Sequence, residues 1–304
     1  MIKTTFKPFY SAHREAKAPN SLGNDEPAES QSSNDFCPAA DDLARSPELP
    51  PGLQAPRRSG LIREAYGLLE LPRLVLRFPA LARERRGRGE PVLVLPGYGC
   101  GNVSTVVLQS YLRFLGYGVR GCGRGIYAGE VGNLLRRVLK RLMTMAYKSR
   151  QQVSIIGWSL GGYLAREAAR ERPELVHRVI TLGTPVIGGP KYTVVAEVFR
   201  RRGIDVEAIA LQVDERNKIS FATPVTAIYS RVDAVVAWEA CIDRNGLNIE
   251  HIEVATTHVG LGFSPEVYQI IAQRLANGPG PVKPETSNNP IESPRRKRRR
   301  SQRR

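Results

Sequence analysis

Apolar residues come along this chain in two rhythms, and their alternation predicts the architecture. Short continuous apolar runs at 91–95, 153–156, 179–182, 225–229 and 249–254 read as buried strands, with a shorter one at 118–120. Between them lie segments with helical spacing. The clearest is 131–147, where Leu134, Leu135, Val138, Leu139, Leu142 and Met145 share one face and basic residues take the other. Further helices are expected from Asn102 or Ser104 to about 115, over 164–170, over 193–202, near 206–213, and from Ser264 or Pro265 to about 276. Strands alternating with helices imply an α/β fold: a mostly parallel open sheet with helices on both faces and right-handed crossovers.

The ends of the chain have a different character. Residues 1–58 are rich in Pro, Ser, Asn, Asp and Glu, show no sustained periodicity, and read as a disordered leader. Residues 59–90 are strongly apolar but are punctuated by Pro72, Pro79 and scattered charge. The prolines are expected to break the helix here, which favours a helix pair packed on the domain surface over an interfacial segment docked on lipid. After Asn277, Gly, Pro and Ser return, and 278–304 read as a disordered tail. The net charge of +16 sits unevenly, with eight of the last ten residues basic. It therefore describes the tail more than the domain. No aromatic residues interleave those arginines, so base stacking is not expected. Anionic membrane or nucleic-acid phosphate are the partners its charge would suit.

No apolar run reaches the eighteen residues of a membrane span, and the N-terminus lacks the apolar core of a secretory signal. Cys37, Cys100, Cys122 and Cys241 are scattered without metal-ligand spacing, which suits a reducing compartment. The expected location is the cytoplasm, with peripheral membrane contact as the variant.

The chemistry gathers at predicted strand ends. Gly157-x-Ser159-x-Gly161 falls between a strand and a helix, the context of a nucleophile elbow. The serine there takes a strained backbone, and the flanking glycines let strand and helix approach closely. Asp233 follows the 225–229 strand and His258 follows the 249–254 strand. Ser159 as nucleophile needs a base: His258 would take its proton, and Asp233 would fix the imidazole tautomer. The backbone N–H groups of Tyr98, after the first strand, and Leu160, after the serine, would form an oxyanion hole. Among rivals, His13 lies in the leader, His177 precedes a strand, and His251 lies within one. Asp243 and Glu239 lie further from their strand end than Asp233 does. The glycine-rich stretch 116–132 has no Rossmann unit around it and reads as a flexible loop beside the site.

Leu95-Pro96-Gly97-Tyr98, Gly157 to Gly162, Leu182-Gly183-Thr184-Pro185, Ser230-x-x-Asp233 and His258-x-Gly260 together resemble the α/β-hydrolase superfamily, and within it the lipase/esterase-like serine hydrolases. The resemblance spans 91–276, in a compact form that begins with what is normally the third strand. One departure is Pro96-Gly97, where many relatives carry His-Gly. The resemblance implies that 91–277 is the hydrolase domain, with 186–222 as a small cap in which Val194, Val195, Val198, Phe199, Ile209 and Leu211 either line an acyl pocket or form ordinary crossover core. It implies hydrolysis of a small-molecule or lipid carboxylic ester through an acyl-enzyme, with no metal and no organic cofactor. The alternatives are an acyltransferase with the same three side chains, or a catalytically silent binding module working through its basic tail.

Overall fold

In the computed structural model the described residues are 52–278, except Arg124 and Asn245. The expected leader up to Pro51 and the basic tail from Pro279 lie outside them. Six strands form one sheet: β1 Pro91–Leu95, β2 Gly118–Gly121, β3 Val153–Trp158, β4 Val176–Leu182, β5 Val225–Tyr229 and β6 Ile249–Glu253. Every pairing is parallel, in the order β2-β1-β3-β4-β5-β6. The chain steps outward from β1 to β2, then returns to the other side of β1. The loops after β1 and β3 therefore diverge and leave a crevice at the carboxyl ends of those strands.

The alternation within β1 sorts the core into two layers. Val92 and Val94 point to one face, with α3 Val106–Phe114 and α8 Pro265–Leu275. Leu93 and Leu95 point to the other, with α4 Val131–Ser149 and α5 Leu160–Glu171. A sheet covered on both faces needs apolar residues at consecutive positions, which explains why its central strands appear as unbroken runs. β4 starts earlier than the expected 179, because the run Val176-His177-Arg178 is extended and pairs with β3 although its middle residues are polar. His177 thus lies within a strand rather than before one. Its Nε2 faces the Asn277 carbonyl at 2.8 Å.

The N-terminal segment departs from expectation. Two helices, α1 Leu61–Glu64 and α2 Glu70–Leu81, are joined by a 3-10 turn, and α2 runs through both prolines. Pro72 falls in the first turn, where an N–H has no intrahelical acceptor, and Pro79 falls in the last. The inner face of α2 buries Leu74 and Leu81 in the same layer as α8. The 193–202 helix is also shorter than expected, α6 Ala196–Arg201, because Thr193 is extended and bridges Val236. It is followed by α7 Val206–Asn217, capped by the Asp205 side chain on Ala208 N–H at 2.9 Å. No helix among the described residues is long and apolar enough to cross a membrane.

Candidate active site

Ser159 stands on the turn between β3 and α5, half-buried, with φ 54 and ψ −119. A side chain with a Cβ pays for that conformation, and the surroundings hold it there. Its N–H donates to Leu182 O at 2.8 Å, and the Thr184 hydroxyl donates to its carbonyl at 3.1 Å. The glycines permit the close crossing: a Cβ on Gly161 would lie 2.5 Å from Leu95 O, and one on Gly157 would overlap the Gly161 carbonyl. Leu160 is the first residue of α5, so its N–H lacks an intrahelical acceptor.

The loop after β1 closes against this turn. A Cβ on Gly97 would touch the Ser159 Cβ at 3.4 Å. Tyr98 follows, its ring edge-on to Phe199 of α6 at 5.0 Å. The loop is pinned by Tyr127, whose carbonyl accepts from Gly99 N–H at 2.9 Å and whose N–H donates to Cys100 O at 2.8 Å. Tyr127 itself is buried. This part of the glycine-rich stretch is thus an anchor for the loop after β1. The sequence carried a signal for it, a tyrosine among glycines, but nothing that named its partner. Of the six candidate pocket residues, Val194, Val195, Phe199 and Ile209 are half-buried, while Val198 and Leu211 face solvent.

Asp233 and His258 meet in the loops after β5 and β6, and both are buried. His258 Nδ1 lies 2.6 Å from Asp233 Oδ2. The other carboxylate oxygen accepts from the N–H groups of Val235 and Val236, each at 2.8 Å. Burial alone disfavours a charged imidazole, but the adjacent Asp233 carboxylate, its hydrogen bond and the charge of Glu64 outweigh it. The pKa of His258 is raised above the ordinary histidine value. The bond to Nδ1 leaves Nε2 as the proton-accepting end. The Trp158 ring, directly before Ser159, lies 6.0 Å from the His258 imidazole centroid. No hydrogen bond joins Ser159 Oγ to His258 among the described residues.

Gly183 directly follows β4. It has φ +52, and a Cβ there would lie 2.9 Å from His258 Nδ1 and 3.0 Å from Asp233 Oδ2. Only a residue without a side chain leaves room for that bond while adopting a left-handed backbone. The rivals are engaged elsewhere. Asp243 pairs with Arg166 of α5, Nε to Oδ2 at 2.5 Å, and its N–H donates to His251 Nε2 at 2.9 Å. Glu239 lies on the 3-10 turn Trp238–Cys241. Among the described residues no cluster of three or more His, Cys, Asp or Glu has the arrangement of a metal site.

Residues 90–216 match the family model described as the alpha/beta hydrolase fold. Among solved structures, the chain is similar to a metagenome-derived lipolytic enzyme of the LipS and LipT pair at 14% identity, with 63% of this chain and 93% of that one covered and a TM-score of 0.50. It is similar to MGS-MChE2, an alpha/beta hydrolase enzyme from lagoon sediments of Mar Chica, Morocco, at 21% identity, covering 62% and 92% of the two chains with a TM-score of 0.46. Aspergillus fumigatus lipase B gives 17% identity, 66% and 55% coverage and a TM-score of 0.48. No curated protein sequence matches the chain. The parallel sheet, the elbow and the match over 90–216 define the fold: the chain has the α/β-hydrolase fold.

Proposed function

We propose that the protein is a serine hydrolase acting on carboxylic esters, small or lipid-like, through an acyl-enzyme. The observation that carries this reading is the buried His258–Asp233 bond, with Gly183 left bare beneath it. A buried carboxylate on Nδ1 has one evident chemical consequence, a basic Nε2 held in a fixed orientation. Ser159 Oγ attacks the ester carbonyl and its proton passes to His258 Nε2. The new Oγ–C bond forms as the carbonyl oxygen gains charge, and the N–H groups of Tyr98 and Leu160 donate to that oxygen. The C–O bond to the alcohol then breaks, and His258 gives the proton to the departing oxygen. Water repeats the sequence on the acyl-enzyme and releases the acid. The contact of Phe199 with Tyr98 supports reading α6 and α7 as a small cap over the acyl group.

The test is labelling of the purified chain with a fluorophosphonate probe beside Ser159→Ala, followed by p-nitrophenyl esters of increasing chain length. Rapid labelling of the wild type alone is expected, with ester turnover falling by about 10⁶-fold in the variant. A folded wild type that labels no faster than the variant would sink the reading.

A further inference from the structure

The N-terminal segment has an inner and an outer face. Between Arg57 and Arg83 the only acidic residues are Glu64 and Glu70. Both are turned inward, 6% and 5% exposed. Glu70 Oε1 accepts from the Thr256 hydroxyl at 2.8 Å. Glu64 does more: Oε1 accepts from Ala234 N–H and Oε2 from Val259 N–H, each at 2.8 Å. Those amides belong to the residues directly after Asp233 and His258. The last ladder bond between the two strands is Val254 N–H to Tyr229 O, at 2.9 Å. Beyond it the two loops leave the sheet, and one carboxylate rejoins them. Contact with the second loop is close, since a Cβ on Gly67 would lie 2.5 Å from Gly260 N and from Thr257 Oγ1.

We propose that Glu64 is a positioning residue of the active site, setting the distance between the acid loop and the base loop through these two amides. This rests on the hydrolase reading above. Displacements of about 1 Å between reacting groups cost on the order of 10²-fold in rate, which is what loss of such a tie would cause. The charged groups acting on His258 are Asp233 and Glu64, and both favour its protonated form.

The test measures p-nitrophenyl ester kinetics against pH for the full chain. Glu64→Gln removes a charge and one acceptor. Its kcat is expected to fall about 10- to 100-fold with little change in KM, and the acidic limb of kcat/KM should move to lower pH. Glu64→Asp keeps the charge but is one methylene short, so kcat should fall while the acidic limb stays. A merely structural anchor predicts a lower Tm with kcat and the acidic limb of the folded enzyme unchanged, and that result overturns the proposal. If Glu64→Gln is not recovered folded, wild-type kcat in Glu64→Asp overturns it instead. A wild type without Ser159-dependent labelling overturns the hydrolase reading and this proposal together. Normal labelling with an indifferent Glu64 overturns this one alone.

The outer face carries a second inference independently. Ile62, Tyr66, Leu69, Val75 and Leu76 are each more than half exposed, interleaved with exposed Arg63, Arg73 and Arg77; the Glu64 carboxylate is turned inward, and buried Glu70 pairs with Arg73 at 2.9 Å. An apolar face rimmed only by arginine is complementary to an anionic lipid surface. We infer that this face docks on one. Vesicle flotation compares the wild type with an Ile62→Ser, Leu69→Ser, Leu76→Ser variant, on phosphatidylglycerol-containing and pure phosphatidylcholine vesicles. The comparison is needed because the basic tail can hold anionic vesicles by charge alone. Stronger binding of the wild type than of the variant to anionic vesicles is expected, on the order of tenfold or more. Equal binding overturns the inference, as does a concentration-dependent dimer that the variant abolishes without any change in flotation.

Discussion

Asp233 and Asp243 lie on the same stretch of chain after β5, both buried and both in contact with a nitrogen base. Their partners make them opposites. Asp233 faces His258, an imidazole that can take up and release a proton. Asp243 faces Arg166 in a two-pronged contact, Nε to Oδ2 at 2.5 Å and Nη2 to Oδ1 at 2.9 Å. A guanidinium does not release its proton in a protein, so that pair is fixed in charge. The location differs as well. Arg166 reaches Asp243 from α5, with Phe221 under its guanidinium at 5.5 Å, whereas Asp233 stands at the strand ends beside the elbow. Burial alone therefore does not mark a catalytic acid. What separates the two is whether the partner can titrate and whether a reacting group can reach it.

Paired substitutions sharpen this comparison. Of these paired substitutions, Asp233→Asn is expected to lower the rate most, about 10⁴-fold in kcat, because the amide orients the wrong imidazole tautomer. The pH profile gives the sign. His258 stands above its ordinary value, so the wild-type acidic limb should lie above pH 6.5. Loss of the Asp233 charge should lower it. Asp243→Asn should leave the rate per folded molecule near wild type but remove about 3–5 kcal/mol of stability, by stranding Arg166. Thermal unfolding beside active-site titration separates the two outcomes. Equal loss of kcat in both variants would break the distinction. A smaller effect, about 10²-fold in kcat, is expected from Gly183→Ala, whose methyl would press on the His258–Asp233 bond. Unchanged kinetics in that variant would mean the bond tolerates displacement.

Much of this was legible from local pattern. β1 and β5 were readable to the residue because a strand covered on both faces must be apolar throughout. β4 was read three residues short, because polar His177 and Arg178 interrupt the run at its outer end. Helix α2 continues through both prolines for different reasons: Pro72 falls in the first turn, where its missing N–H has no intrahelical acceptor, whereas Pro79 lies inside the helix, which tolerates the lost bond one turn from its end.

The sequence by itself determined the alternation of strand and helix, the elbow at Ser159, and the chain order of serine, acid and histidine. Each is a pattern within a few residues, read from the chemistry of those residues alone. Tertiary structure decided which carboxylate meets the imidazole, why Gly183 must be bare, and that Glu64 holds Ala234 and Val259 from 170 and 195 residues away. The partners of Glu64 are backbone amides, which every residue but proline carries. A contact to them leaves no trace in side-chain identity, and only the folded chain reveals it.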